Sequence, residues 1–189
     1  MIALFYNILR SSLKPGYGVL MLRKAFKRLE KNTRKDGLAW AQDSAVSLRD
    51  FCRDKDDLLW NEALLEYSIA SEEAAKKLSL IKENMGGGGS FPLVYFLCRL
   101  IKPKILMETG VAAGWSSYAA LKAIKKNGIG TLYSSDFPYF RFKNPEKLIG
   151  IIVPKELKND WHLDIRGDTV ALPNFAKKID RIDFFHYDS

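Results

Sequence analysis

The chain has 189 residues, 47% of them apolar and 28% charged, a balance that suits one globular core and excludes both a disordered chain and a second full domain. Cys52 and Cys98 are the two cysteines and stand outside any C-x-x-C or Cys/His cluster, so a disulfide framework and a structural zinc are disfavoured and a reducing, cytoplasmic setting is expected. The net charge of +8 is local: residues 1–35 hold nine Lys and Arg against Glu30 alone while the rest balances, so the basic character belongs to an N-terminal arm and argues against nucleic acid as a partner.

Residues 1–9 are apolar, but no basic stretch precedes them and Arg10 and Lys14 follow, the wrong order for a signal peptide and too short a run to span a bilayer. From Val19 to Leu29 the residues Val19, Leu22, Ala25, Phe26 and Leu29 recur at helical steps, with Arg23, Lys24, Lys27, Arg28 and Lys31 between them. That is a basic amphipathic helix. Peripheral membrane contact through residues 1–35 is one reading; docking on the chain's own domain, or on a second subunit of a homo-oligomer, is the commoner use of such a face and the one expected here. Residues 43–80 read as two more helices, the first capped by Asp43 or Ser44 and the second loaded with Asp56 and Asp57 at its start. With no catalytic cluster of their own they form a platform, so residues 1–85 are taken as a helical extension.

The run Gly86-Gly87-Gly88-Gly89-Ser90 resembles a linker in composition, but its sequel is structured. Phe91–Ile101 reads as an apolar helix, Pro103 breaks it, and Ile105-Leu106-Met107 enters a strand ending at Glu108. A helix over Trp115–Lys126, strands over Thr131–Ser135 and Trp161–Ile165, a helix over Ala171–Ile179 and a strand over Ile182–Tyr187 follow. Strands separated by helices predict a parallel α/β sheet over residues 86–189.

The chemistry is concentrated in Glu108-Thr109-Gly110-Val111-Ala112-Ala113-Gly114-Trp115-Ser116. An acid closing a strand and glycines opening a helix bring a carboxylate and free backbone N–H groups to the carboxyl edge of a parallel sheet. By itself this is also an ordinary tight turn. Asp136, after the next strand, adds a second acid where a carboxylate commonly accepts the two hydroxyls of a ribose, which implies a nucleoside. A dinucleotide would call for the third glycine of G-x-G-x-x-G, absent here, so a nucleotide-dependent Rossmann oxidoreductase is the alternative rather than the first reading.

This arrangement resembles the class I S-adenosylmethionine-dependent methyltransferases, in their catechol O-methyltransferase-like and sugar O-methyltransferase-like branch. The spacing of Glu108, Gly110, Gly114 and Ser116 matches that branch's first motif, and Asp136, the stretch Gly167-Asp168-Thr169 with Leu172-Pro173, and Asp188 follow in the family's order. The resemblance implies a Rossmann-like α/β fold and an enzyme that carries the methyl group of S-adenosylmethionine to a small-molecule or sugar hydroxyl. It implies that Glu108 holds the methionine amino group, Gly110 and Gly114 form the loop beneath the cofactor, and Ser116 binds the methionine carboxylate. Asp136 would take the ribose, Asp168 and Thr169 the adenine, and Gly89 with Ser90 the methionine end. Asp188 matches an acid that in metal-dependent members holds a divalent cation such as Mg against the acceptor, giving it a catalytic and a metal role.

Plainer roles stand beside these: Asp168 as a turn acid with Thr169 next to an N-cap, Asp188 as a strand terminus, His186 as a packing residue. The family fold has seven strands, so the expectation is a sheet truncated after its fourth strand, either a fragment or a chain completed by a partner. A non-catalytic fragment acting as a binding module is the remaining alternative.

Overall fold

The computed structural model describes residues 2–14, 16–27, 35–88 and 90–188. The chain begins with three short helices, α1 (Ile2–Ser12), α2 (Tyr17–Lys27) and α3 (Lys35–Asp43), and a long fourth, α4 (Leu48–Leu78). Ser47, rather than Asp43 or Ser44, caps α4: its hydroxyl accepts from the Asp50 N–H at 3.3 Å, while Asp43 ends α3. The two helices read over 43–80 meet within α4 at Asp56, whose backbone is extended (φ −165°, ψ 98°). Its carboxylate accepts from the Leu59 N–H at 2.8 Å, so an acid that leaves the helix in its own backbone caps the turn that follows.

Helix α5 (Phe91–Ile101) ends at Lys102, which is left-handed (φ 51°) one residue before Pro103, and the chain turns into the central strand β1 (Ile105–Thr109). Then come α6 (Trp115–Asn127), β2 (Thr131–Ser135), two 3-10 turns at Pro145–Lys147 and Lys155–Asp160, β3 (Trp161–Asp164), α7 (Asp168–Ala176) and β4 (Phe184–Tyr187). All pairings are parallel, in the order β3-β2-β1-β4. Helix α7 starts three residues earlier than its apolar pattern suggests, because Gly167 (φ 87°) turns the chain and Asp168 opens the helix.

β1 is buried almost throughout, as a strand covered on both faces must be. Leu106 and Leu132 join Phe91, Tyr95, Phe96, Tyr118 and Leu121 of α5 and α6 in the main core, which also takes in Cys52, Trp60, Ala63, Ala70 and Ala74 of α4. Each large side chain so placed contributes about 1.5–3 kcal/mol by leaving water. Met107 faces the other way, onto Ala171 and Phe175 of α7. β4 forms one edge of the sheet, with Phe185 and Tyr187 exposed.

Within the chain, the apolar face read for the basic helix is not the face that docks on the α/β body. Val19, Leu22 and Phe26 of α2 stay exposed, and the side chain of Ala25 and residue Leu29 lie outside the described residues. Among the described residues no helix is long and apolar enough to cross a membrane.

Candidate functional site

Each strand hands its ladder one residue onward at the carboxyl edge: the Gly110 N–H donates to the Ser135 carbonyl, Asp136 N–H to Asp164, and Asp188 N–H to Thr109, at 2.9, 3.1 and 2.9 Å. The loop after β1 then rises in positive φ at Gly110 (82°), Ala112 (48°) and Gly114 (99°). Left-handed Ala112 is a small strain at the rim of the site, held from two sides. Asp136 Oδ2 accepts from the Val111 and Ala112 N–H groups at 3.0 and 2.7 Å. On the other side the Ala112 and Ala113 carbonyls accept from the N–H groups of Gly150 and Ile152, at 2.9 and 3.1 Å. A Cβ on Gly114 would lie 2.8 Å from Val153 and 2.9 Å from the Gly150 Cα, so glycine is needed there for the crossing of two backbones.

This loop walls a cavity of about 360 Å³, within the range of small-molecule sites. Gly110, Val111 and Ala112 form its floor, Trp115 and Ser116 bring the first turn of α6, and Gly86 and Gly87 close it from the glycine run. Asp188 enters from the end of β4, and Tyr139 and Arg141 from the segment after β2. Four residues read from the sequence are thus near one another: Gly110, Gly114 under the loop, Ser116 and Asp188. Ser90 is exposed at the start of α5 and does not line the cavity, and Gly89 lies outside the described residues.

The remaining acids stand around the cavity rather than in its wall. Glu108, 2% exposed, sends Oε2 to the hydroxyls of Ser117 and Ser134, which donate at 2.6 and 2.7 Å. Trp161 Nε1 in turn donates to Ser134 at 2.9 Å. His186, in register with Glu108 on β4, places Nδ1 3.8 Å from Glu108 Oε1, and that nitrogen is buried with no hydrogen-bond partner among the described residues. Burial pushes the Glu108 carboxyl up, against the lowering pull of the hydroxyls of Ser116, Ser117 and Ser134 and of His186. Asp168 accepts from the Ser135 hydroxyl at the start of α7, and Thr169 is exposed beside it.

Tyr139 and Arg141 carry no periodic signal and were not singled out from the sequence; the aromatic and basic run directly after Asp136, at the carboxyl end of a strand, is the cue that would have found them. The Arg141 guanidinium lies 5.4 Å from the Tyr139 ring and 4.8 Å from that of Phe142. Burial, and after it the charge of Asp136, raises the Tyr139 hydroxyl, so it serves the cavity as a neutral donor.

The donor set answers two cofactor questions differently. Asp188 belongs to no group of three or more His, Cys, Asp or Glu able to hold a metal ion among the described residues, and a divalent-cation site is not made by one carboxylate. An amino-acid carboxylate does fit: the amino end of α6 offers free N–H groups and a positive dipole end, Ser116 adds a hydroxyl, and Trp115 Nε1 is a buried donor with no partner among the described residues.

No family model and no curated protein matches the chain. Among solved structures, an O-methyltransferase from Bacillus cereus in complex with SAH aligns with 80% of this chain and 59% of its own, at 13% identity and a TM-score of 0.39. The chain therefore spans less than two thirds of that protein's length, and a likeness of that depth transfers no residue roles.

Proposed function

We propose that the chain binds S-adenosylmethionine at the carboxyl edge of its sheet and transfers the methyl group to a hydroxyl of a small molecule or sugar. The observation that carries this reading is a single cavity lined by Gly110, Ser116 and Asp188, residues drawn from two strand ends and a helix start. The parallel order β3-β2-β1-β4, with β1 central and the glycine loop following it, is consistent with the same family.

When bound, S-adenosylmethionine supplies a methyl group made electrophilic by its sulfonium sulfur. The chain's part is alignment. The first turn of α6 and Ser116 hold the methionine carboxylate, and Asp136 keeps the loop beneath it in shape through Val111 and Ala112. Asp188 is the group placed to take the acceptor's hydroxyl proton as its oxygen attacks. Tyr139 donates a hydrogen bond and Arg141 supplies a fixed positive charge at the mouth. The ribose and adenine would extend along the carboxyl ends of β2 and β3, where Asp136, Asp168 and Thr169 stand. No step is assigned to a metal, because the described residues do not compose a site for one.

Gly87 offers a clean test. It lines the cavity, and a Cβ there meets nothing within 4 Å, so Gly87→Val adds bulk at the cavity wall without a clash at its Cβ. Calorimetric titration is expected to show micromolar binding of S-adenosylhomocysteine and none of NADH. Ser116→Ala should weaken it by about tenfold, the worth of one charge-assisted hydrogen bond, and Gly87→Val should abolish it. Heat from NADH with none from S-adenosylhomocysteine would overturn the reading in favour of a nucleotide-dependent oxidoreductase.

A further inference from the structure

The N-terminal arm is already docked by one side, and its other side is apolar. Tyr17 stands edge-on to Phe137 and Phe140, with ring centroids 5.5 and 5.4 Å away. Lys14 pairs with Glu146, and Asn7 Nδ2 reaches the Arg141 carbonyl at 3.5 Å. Away from these contacts, Val19, Leu22 and Phe26 follow one another at i, i+3 and i+7 and so share a face of α2. They are 59%, 62% and 69% exposed. Tyr6, Leu9 and Leu13 repeat the spacing along α1 and just past its end, each at least half exposed. Two adjoining helices therefore each present an apolar stripe to solvent, with exposed Arg10 and Arg23 on the same two helices.

Charge decides what covers such a surface. Residues 1–35 carry an excess of eight positive charges while the rest of the chain is balanced. A second copy would set that excess against itself. Nucleic acid would answer the charge but leave the aliphatic stripes in water. An anionic bilayer answers both, since acyl chains receive Leu, Val and Phe while phosphate headgroups receive Lys and Arg. Helices of 11 residues are too short to span, so they would lie in the interface.

We propose that α1 and α2 form a docking surface for an anionic lipid bilayer. The apolar stripes enter the headgroup boundary, each basic residue brought to the surface strengthens binding by roughly fivefold, and the α/β body stays in water, tethered through Tyr17, Lys14 and Asn7.

The test is co-sedimentation of the full chain with vesicles of phosphatidylcholine alone and of phosphatidylcholine mixed with phosphatidylserine. The expected result is sedimentation with the mixed vesicles at low salt, progressive release as salt rises, and binding weaker by about tenfold or more on phosphatidylcholine alone. A Leu22→Ser, Phe26→Ser double variant keeps every charge and alters only exposed side chains; its binding should fall by about tenfold or more while its circular dichroism is unchanged. Unchanged binding by that variant, or no sedimentation with either vesicle, overturns the proposal. So does dimerisation in the ultracentrifuge that the variant abolishes without any vesicle binding, which gives the stripes to a second copy. A salt-sensitive gel shift with RNA in the absence of vesicle binding gives the arm to nucleic acid and overturns it equally.

Discussion

Glu108 is the residue at which sequence and structure put the most on one side chain. The sequence places it as the acid closing β1, and the structure surrounds it with the Ser117 and Ser134 hydroxyls on Oε2 and with His186 facing Oε1. Its protonation state is set by the contest between burial, which favours the neutral acid, and these partners, which favour the anion. Burial prevails. A carboxyl whose native pKa lies above its ordinary 4.5 binds its proton more tightly folded than unfolded, so the stability it contributes is complete below that value and is lost as pH rises through the native pKa. Urea unfolding of the wild type against Glu108→Gln should therefore show the wild type losing ground steadily as pH is raised from below 4.5 toward neutrality. A gap that moves the other way would mean that the hydroxyls and a charged His186 hold the anion. His186 itself was read from the sequence as a packing residue, because a lone histidine in an apolar strand gives no hint of its neighbour; the parallel register supplies the neighbour.

At the scale of elements, the crossing of the β1–α6 loop with residues 150–153 fixes the floor of the cavity. Lys77 at the end of α4 donates to the Ile152 carbonyl at 2.8 Å, so three separate parts of the chain meet there. Gly114→Ala would combine a φ of +99° with a Cβ pressed against the Gly150 backbone, and a loss of about 2–4 kcal/mol is expected in thermal or urea unfolding. Such a loop was legible in part. Gly110 and Gly114 announced it by spacing, and Phe91–Ile101 and Thr131–Ser135 were read to the residue because dense apolar runs with sharp breakers leave little choice of boundary. Residues 137–160 were not read at all: their 3-10 turns have no period, yet they supply Tyr139 and Arg141 to the cavity and Ile152 and Val153 to the core. Helices α1 and α3 were not read either: α1 lies in the apolar run 1–9, which was weighed only as a leader or a membrane span, and α3 carries a glycine, Gly37, in its first turn.

For the whole molecule, what matters is that one segment serves two surfaces. The stretch from Phe137 to Glu146 lines the candidate cavity on one side through Tyr139 and Arg141, and on the other receives the arm through Phe137, Phe140 and Glu146. Detaching the arm should therefore loosen a wall of the site that it never enters. Tyr17→Ala removes the two ring contacts, and hydrogen exchange followed by mass spectrometry should show faster exchange over residues 137–146, with β1 and α6 unaffected. Protection unchanged over 137–146 would mean that this segment is held by the core alone.

The register of the sheet carries a consequence for the order in which the molecule assembles. From Glu108 on β1 to Ser134 on β2 the chain closes 26 residues, whereas from Ile105 to Asp183, at the foot of β4, it closes 78. The longer closure costs about 1 kcal/mol more in chain entropy, and among the described residues β4 pairs with β1. Of the two closures, that of β1 with β2 is therefore the less costly in chain entropy. It is the costlier closure that brings His186 beside Glu108 and Asp188 to the cavity walled by the loop after β1.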